Sequence, residues 1–257
     1  MEKVEIIEKI KWKKEFSQLP EKDVQRAFEK FDNDNYSDEE KVKFTRDLLR
    51  KVFSGFSGKK LLGLKNKSAD EILMKHLSTR ERYNHYGKIY ERILSDMPKK
   101  LSIIDLGAGV NGLSYDYLNQ LEKKVDYVGV EAIGQIVQIV NDYFSREKIP
   151  GKMFHASLFE MDKIKEIIKE ATKPRVIFLF KVIDSLEKFE RDYTKKLLPE
   201  IAPLADKIVI SFATESWMKR TKFYANRKWI LDFIKENWQI TDDFEFGGER
   251  YIVFKGK

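Results

Sequence analysis

The sequence predicts an α/β fold with a doubly wound, mostly parallel sheet that begins near Leu101. Two observations support this fold class. First, short apolar runs alternate with amphipathic helical stretches over residues 101–212, and continuous apolar runs are typical of parallel strands buried on both faces. Second, two strand-like segments flank Gly247-Gly248 near the C-terminus, which is the pattern of an antiparallel hairpin.

The positions of the strands and helices follow from this alternation. We expect parallel strands at residues 101–106, 127–131, 152–155, 176–180 and 207–212. We expect helices near residues 113–121, 133–147, 160–171, 185–197 and 226–237. Residues 244–246 and 250–254 form the hairpin, so the predicted sheet has seven strands.

The chain divides into a predicted all-helical domain, residues 1–98, and the α/β domain, residues 99–257. Apolar residues at three- and four-residue spacings indicate helices around residues 3–16, 21–31, 38–53 and 69–76. Three glycines within residues 54–67 indicate a loop or hinge. Ser78 and Glu81 have the spacing of a capping box, which predicts a further helix that ends near Met97.

The composition excludes several classes of protein. With 257 residues, of which 42% are hydrophobic, the chain can bury a sizeable core. It has no cysteine, which excludes disulfides, thiolate metal sites and cysteine nucleophiles. It also has neither the run of about 20 apolar residues that a membrane span needs nor a signal peptide. We therefore expect a cytoplasmic protein that makes no membrane contact. We also favour a monomer, although the sequence does not determine the oligomeric state.

The charge distribution indicates a polyanionic partner. The net charge is +7 and the isoelectric point is about 9.2. Residues 41–67 contain nine lysines and arginines against Asp47 alone, a net charge of +8, so the rest of the chain is nearly balanced. This segment is either a solvated helix face with a loop or a nucleic-acid contact surface. We expect structured RNA as the partner.

A glycine loop follows the first predicted strand. The strand ends at Asp105 and Leu106 and continues into Gly107-Ala108-Gly109-Val110-Asn111-Gly112. In doubly wound folds the ligand lies at the carboxyl ends of the strands, and glycine lets the backbone approach it closely. The glycine spacing alone also fits a dinucleotide. Asp105, however, would repel a pyrophosphate, whereas its carboxylate suits the ammonium of a methionine moiety, so the loop predicts S-adenosylmethionine as cofactor.

The ends of the next strands supply further predicted contacts. Glu131, followed by Ala132, can accept two hydrogen bonds from a ribose diol, although an acid that caps the next helix is the alternative. The residues expected around the adenine follow the third strand and are Ser157, Leu158 and Phe159. Lys181 follows the fourth strand, where the methyl group and its acceptor should meet, although an ordinary strand-end lysine is equally compatible with the pattern.

Residue types and motifs that the chain lacks restrict the atoms that it could methylate. Methylation of a pyrimidine C5 generally needs a cysteine, and methylation of an exocyclic adenine amine usually needs an Asn/Asp-Pro-Pro-aromatic motif after the fourth strand; neither is present. The three histidines, His76, His85 and His155, lack metal-ligand spacing, so we expect no metal. A ring nitrogen such as guanine N7 carries its own lone pair and needs alignment, not a strong base. The sequence therefore favours a ring nitrogen as the acceptor.

Four segments of the chain resemble one family, in the same order. They are HLSTRER at residues 76–82, DLGAGVN at 105–111, FLFK at 178–181 and VISFATES at 209–216. From about Ile72 onward the chain resembles the aminoglycoside-resistance 16S ribosomal RNA guanine-N7 methyltransferases. The resemblance implies a Rossmann-like class I methyltransferase fold, S-adenosylmethionine as cofactor, and an N-terminal helical domain that docks on the small ribosomal subunit.

The resemblance also implies roles for individual residues. It places Arg80 on the carboxylate of the cofactor. It extends cofactor binding to His76, Ser78, Thr79 and Asn111. Beside Lys181, it places the acceptor base near residues at the end of the fifth strand, which are Ser211, Phe212, Thr214 and Ser216.

The chain departs from the family pattern at four positions, which indicates a divergent relative. Gly112 and Ala213 stand where the family has proline, Glu131 where it has aspartate, and Glu215 where it usually has lysine. Glu215 beside an RNA backbone is unfavourable, so action on transfer RNA or at another ribosomal position stays an alternative. Two other classes also stay open, a non-catalytic RNA-binding or assembly factor with this fold and an NAD-linked oxidoreductase.

Overall fold

A seven-stranded sheet is the centre of the described part of the chain, which comprises residues 2–53, 67–214 and 227–256 of a computed structural model. The strands are β1 (Lys100–Leu106), β2 (Lys124–Glu131), β3 (Gly151–His155), β4 (Arg175–Phe180), β5 (Lys207–Ala213), β6 (Gln239–Phe246) and β7 (Glu249–Lys255). They lie in the order β3–β2–β1–β4–β5–β7–β6. The predicted mostly parallel sheet with a C-terminal antiparallel hairpin is confirmed.

The pairing of the strands explains their sequences. β1 to β5 pair in parallel, and β1 is buried from Leu101 to Leu106, as expected for a strand that is covered on both faces. β7 pairs antiparallel with both β5 and β6. The turn between β6 and β7 has positive φ angles at Gly247 and Gly248, which glycine adopts without steric cost. This hairpin brings Glu249 opposite Ala213, at the end of β5.

Helices precede the sheet and connect its strands. They are α1 (Lys3–Lys11), α2 (Glu21–Glu29), α3 (Asp38–Val52), α4 (Ala69–Lys75), α5 (Leu77–Arg80), α6 (Tyr86–Leu94), α7 (Tyr115–Asn119), α8 (Gly134–Arg146), α9 (Met161–Glu170), α10 (Ile183–Phe189), α11 (Tyr193–Ile201) and α12 (Lys228–Asn237). Capping boxes at Ser37 and Ser68 start α3 and α4. The loop predicted at residues 54–67 lies outside the described residues except for Lys67. None of the described helices is long and apolar enough to cross a membrane.

The sequence predicts a helix that begins at a capping box formed by Ser78 and Glu81, and this predicted start is wrong. α5 already begins at Leu77, and the Ser78 hydroxyl hydrogen-bonds to the His76 ring, 2.9 Å from Nδ1. A 3₁₀ turn at Tyr83–His85 separates α5 from α6. The physical reason is that the Arg82 side chain turns inward to a distant partner, Glu249, which the local sequence pattern does not contain.

The helix predicted over residues 185–197 is also two helices. Asp192, with φ of 61°, interrupts the chain between α10 and α11. The Glu187 carboxylate accepts hydrogen bonds from the backbone N–H of Asp192 (2.6 Å) and of Thr194 (2.9 Å), and thereby stabilises the break.

One continuous hydrophobic core joins the N-terminal helices to the sheet. The α6 ring of Tyr90 stacks on Phe178 of β4, with 6.1 Å between ring centroids. On α2, the Arg26 guanidinium lies 4.5 Å from the ring centre of Phe159 and forms an ion pair with Glu190. The helices that precede β1 therefore pack directly on the α/β part, and the domain boundary at residue 98 stays a prediction.

Candidate functional site

A cleft with about 790 Å³ of empty space lies at the carboxyl ends of β1, β2 and β4. This is the position at which open α/β sheets bind their ligands. Its lining includes the glycine loop after β1, the end of β2, the segment after β3 and the end of β4. The described residues contain no cluster of three or more acidic or histidine side chains arranged to hold a metal ion.

The glycine loop is shaped by two residues with positive φ, Gly107 at 75° and Gly109 at 53°. The backbone N–H groups of Gly107 and Ala108 both donate to the Val130 carbonyl, at 2.9 and 3.0 Å, which ties the loop to β2. A Cβ atom at Gly107 would lie 2.5 Å from Cγ2 of Val182. Glycine is therefore required at residue 107 by both the backbone conformation and the space.

Glu131 holds the glycine loop in place from the end of β2. Its two carboxylate oxygens accept hydrogen bonds from the backbone N–H groups of Gly109 and Ile133, each at 2.9 Å. The side chain is 5% exposed and lines the cleft. Burial raises the pKa of Glu131, while these backbone hydrogen bonds act against the shift. A carboxylate has about four lone-pair sites, so acceptor capacity remains for a ligand hydroxyl.

Asp105 lies beneath the cleft and not in its lining. Its Oδ2 accepts hydrogen bonds from Asn111 Nδ2 (2.7 Å) and from the Tyr127 hydroxyl (2.6 Å). Its Oδ1 is buried and has no hydrogen-bond partner among the described residues. Burial raises the pKa of Asp105, and the two hydrogen bonds oppose that shift. The predicted contact between Asp105 and a methionine ammonium stays a prediction.

A buried ionic network borders the cleft on the side of β4. Arg82, 2% exposed, lies 3.0 Å from Glu249, which is fully buried. Lys181 forms ion pairs with Glu249, at 3.3 Å, and with Glu81. The Ser211 hydroxyl also donates to Glu249. Burial is the largest single effect and disfavours the charge on Arg82. The Glu249 carboxylate, together with Tyr86, Tyr251 and Tyr90, outweighs it and raises the pKa of Arg82 well above its usual value.

Lys181 stands in an unusual backbone conformation at the end of β4. Its φ is 56°, in the left-handed region that lysine rarely adopts. Its backbone N–H donates to the Ser211 hydroxyl (3.1 Å) and carbonyl (3.2 Å), which hold it there. Strained residues of this kind cluster at functional sites. The geometry fixes the Lys181 side chain at the edge of the cleft.

The structure brings most of the predicted cofactor-binding residues to the cleft. The predicted residues that line it are Ser78, Gly107, Gly109, Asn111, Glu131, Ala132, Leu158, Phe159 and Lys181. Ser157 is buried beside them, and its hydroxyl accepts a hydrogen bond from the backbone N–H of Phe159 at 3.1 Å.

Other predicted site residues lie outside the lining. His76, between α4 and α5, and Thr79, within α5, are buried, and the Thr79 hydroxyl donates to the Leu73 carbonyl at 2.7 Å. Arg80 is exposed and is not part of the lining. The end of β5 carries Ser211 and Phe212, and Thr214 comes directly after it; all three lie near Lys181 but outside the lining. Ser216 falls outside the described residues.

Several lining residues were not predicted from the sequence. Asp23 of α2, Val52 of α3 and Phe53 come from the N-terminal helices, and Arg82 comes from the segment after α5. Arg82 stands within the HLSTRER segment and could have been proposed from it. Nothing in the local sequence marks Asp23, because only the packing of α2 on the sheet brings it to the cleft.

A second, basic groove lies between α1 and α3. Its lining includes Lys9, Lys13 and Lys43. Some cations of α3 are paired with nearby acids: Lys41 with Asp32, and Arg50, which also lines the groove, with Glu15 and with Asp47 of α3 itself. Some of the positive charges at residues 41–67 are therefore engaged in ion pairs within the described residues. α1, which precedes this segment, contributes further cations to the groove.

The strand order identifies the class of protein. A dinucleotide-binding sheet has the order 3-2-1-4-5-6, whereas here an antiparallel strand is inserted between β5 and β6. With its cleft over the glycine loop, the chain is a class I methyltransferase, a class that uses S-adenosylmethionine. The Glu131 carboxylate lies in the lining and keeps acceptor capacity that fits a ribose, whereas the Oδ1 of Asp105, which has no partner among the described residues, lies beneath the lining.

The chain belongs to the FmrO family of ribosomal RNA methyltransferases, whose sequence profile matches residues 41–231. It is 26% identical over 148 residues to a 16S rRNA (guanine(1405)-N(7))-methyltransferase of Micromonospora echinospora. That match covers 57% of this chain and 50% of the relative, so the chain spans about half the length of this relative. Family membership confirms the resemblance and the predicted cofactor, and sets aside an NAD-linked oxidoreductase.

Solved structures show the same fold. The 16S rRNA methylase RmtB has a TM-score of 0.79 at 16% identity, over 100% of this chain and 99% of that chain. The 16S rRNA methyltransferase RmtF, crystallised with S-adenosyl-L-homocysteine, has a TM-score of 0.79 at 19% identity over 100% of both chains. An rRNA methylase from Escherichia coli has a TM-score of 0.76 at 17% identity, over 99% of both chains.

Proposed function

We propose that this chain methylates N7 of a guanine in small-subunit ribosomal RNA. The family match supports ribosomal RNA as the substrate, and the name of the Micromonospora relative supports guanine N7. The structural observation that carries the proposal is the pairing of the Lys181 amine with acidic side chains. Two carboxylates engage its amine, so the described residues offer no free base at the end of β4. A ring nitrogen with its own lone pair needs none. A ribosomal substrate also supports the expected cytoplasmic location.

We propose that the cofactor lies along the carboxyl ends of β1, β2 and β3. Glu131 accepts from the ribose hydroxyls, and Leu158 and Phe159 contact the adenine. Ser78 and Arg82, both in the cleft lining, face the amino-acid end. Arginine binds a carboxylate with two parallel hydrogen bonds, so Arg82 is better placed for this role than the exposed Arg80.

The residues of the chain act by binding and alignment. When bound, S-adenosylmethionine supplies a methyl group on a positively charged sulfonium. The glycine loop and Glu131 fix the position of the cofactor. Lys181, held by Glu81, Glu249 and Ser211, fixes the edge at which the base enters. Alignment of two reactants in one site lowers the barrier without a proton transfer.

We propose that the base that accepts the methyl group binds near the end of β5. Ser211, Phe212 and Thr214 belong to this site, with Thr214 donating from its hydroxyl to Glu245 at 2.7 Å. Ser216 follows on the same segment, outside the described residues. An RNA base must leave its stack to reach such a cleft.

A transfer assay on separated substrates tests the proposed function. Labelled S-adenosylmethionine is incubated with the chain and with small ribosomal subunits, large subunits or transfer RNA. We expect label only in the RNA of the small subunit. Label in transfer RNA would support the alternative substrate. No label in any RNA, with no binding of S-adenosylhomocysteine, would support a non-catalytic factor.

The basic groove between α1 and α3 is expected to supply RNA affinity without taking part in the reaction. Lys9, Lys13 and Lys43 line the groove, and Lys51 is exposed further along α3. The four lysines are exchanged together for glutamine. Because each phosphate that a protein neutralises releases counterions, the log–log salt slope of RNA binding should fall by roughly 0.7–0.9 for each phosphate no longer neutralised. The slope is measured by titration of small-subunit RNA at several salt concentrations.

A matched variant controls for net charge. It exchanges four exposed lysines near the opposite, amino-terminal edge of the sheet: Lys99, Lys100, Lys124 and Lys173. We expect this control to keep most of the salt slope and both variants to keep their affinity for S-adenosylhomocysteine. Equal slopes in the groove variant and the wild type would show that the groove is only a solvated surface.

A further inference from the structure

Asp23 is an unexplained acid in the cofactor cleft. It lies on α2, is 3% exposed and belongs to the cleft lining. Its Oδ2 is buried and has no hydrogen-bond partner among the described residues. A buried polar atom without a partner is costly in a folded protein, and such an atom often marks a functional site. A hydrogen-bond donor on a ligand would satisfy this oxygen.

The surroundings of Asp23 show which part of a ligand it faces. Hydrogen bonding to Ser157, which follows β3, lowers the pKa of Asp23. Glu160, also after β3, and Glu131 are close enough to raise it. The segment after β3 is where the adenine of the cofactor is proposed to lie. Asp23 thus approaches the adenine end of the cleft from the N-terminal helices.

The cleft lining to which Asp23 belongs also contains aromatic rings. The ring of Phe159 lies 5.5 Å from that of Phe189, and the ring of Phe53 lies 5.9 Å from Phe189, measured between centroids. All three rings line the cleft. Arg26, one turn after Asp23 on α2, is fixed by its ion pair with Glu190 and by the Phe159 ring. α2 is therefore anchored on the α/β part on the side where Asp23 enters.

We propose that Asp23 recognises the adenine base of the cofactor by hydrogen bonding to its exocyclic amine. This inference rests on the proposed function and adds a base-recognition residue from the N-terminal helices. The adenine edge presents a donor, the amine, beside an acceptor, the ring N1. Burial raises the pKa of Asp23 to about 7, with Glu131 and Glu160 adding to the shift and Ser157 and Arg26 opposing it. The ionised carboxylate accepts from the amine, and the protonated form can in addition donate to the ring N1.

The N-terminal helices thus carry the basic groove and also close the adenine end of the cofactor site. Cofactor binding and the packing of these helices on the sheet therefore stabilise each other, because a ligand favours the state that completes its site.

Calorimetry with two ligands tests the proposal. The ligands are S-adenosylhomocysteine and its analogue with purine in place of adenine, which lacks only the exocyclic amine. For the wild type we expect S-adenosylhomocysteine to bind about tenfold more tightly or better, the usual effect of a hydrogen bond to a charged or strongly polar partner. In Asp23→Ala and Asp23→Leu this preference should fall to about twofold or less. Asp23→Asn, which keeps a donor and an acceptor, should retain most of it.

The ratio of the two affinities separates recognition from a structural role. A variant that only disturbs the cleft would weaken both ligands equally, and that result would overturn the proposal. The exposed Asp34→Ala serves as a control and should leave the preference unchanged. Binding of neither ligand to the wild type would contradict the proposed function itself. Binding of both, without a preference that depends on Asp23, would overturn only this inference.

Discussion

Glu249→Ala is expected to lower the free energy of unfolding by about 3–5 kcal/mol, the usual cost of removing one partner of a buried ion pair. Glu249 is fully buried and is the counter-charge of Arg82, which is 2% exposed, and of Lys181. Without it, the buried Arg82 loses the carboxylate that neutralises it, whereas the partly buried Lys181 keeps its ion pair with Glu81. The measurement is urea unfolding of the variant and the wild type, extrapolated to water.

Two further variants serve as controls for the effect of Glu249→Ala on stability. Glu249→Gln keeps one acceptor oxygen, for either Arg82 or Ser211, and removes the charge, so we expect an intermediate loss of stability. Glu245→Ala, at an exposed position of the same hairpin, should change stability by no more than about 0.5 kcal/mol. A Glu249→Ala variant as stable as Glu245→Ala would show that the network does not hold the cleft together.

Glu131→Ala is expected to weaken binding of S-adenosylhomocysteine by about 1–3 kcal/mol, or roughly 5- to 150-fold. The variant loses the proposed hydrogen bonds to the ribose. It also loses the two bonds, each 2.9 Å, by which Glu131 holds the backbone of Gly109 and Ile133. Isothermal titration calorimetry measures the affinity.

The controls for Glu131 separate charge from geometry. Glu131→Gln keeps one acceptor oxygen and should lose less affinity than Glu131→Ala. Glu147→Ala, exposed at the end of α8, should bind as the wild type does. An unchanged affinity in Glu131→Ala would place the ribose elsewhere in the cleft.

The sheet could be predicted from the sequence because its strands are encoded locally. Both faces of β1 and β4 are covered, so their apolar runs are continuous and the predicted bounds differ from the observed ones by one residue. The glycine loop was equally clear, since a backbone with positive φ at Gly107 and Gly109 restricts the choice of residue.

The rest of the candidate site depends on contacts between distant parts of the chain. Arg82 interrupts a predicted helix because it pairs with Glu249, 167 residues later. Asp23 reaches the cleft only because Arg26, on the same helix, docks on Phe159 and Glu190. No hydrophobic periodicity or sequence motif around Arg82 or Asp23 indicates these distant partners. The sequence therefore predicted the cofactor loop, but it predicted neither the ionic network nor the contribution of α2.

Chemical mapping of the methylated RNA tests the central claim most directly. Small ribosomal subunits are treated with the chain and S-adenosylmethionine, and the extracted 16S RNA is then exposed to borohydride and aniline. Methylation at N7 leaves a fixed positive charge on the guanine, and the RNA chain is cleaved there. We expect cleavage at one guanine, absent when cofactor is omitted and absent or strongly reduced with Glu131→Ala. Methyl incorporation without cleavage would contradict guanine N7 as the acceptor.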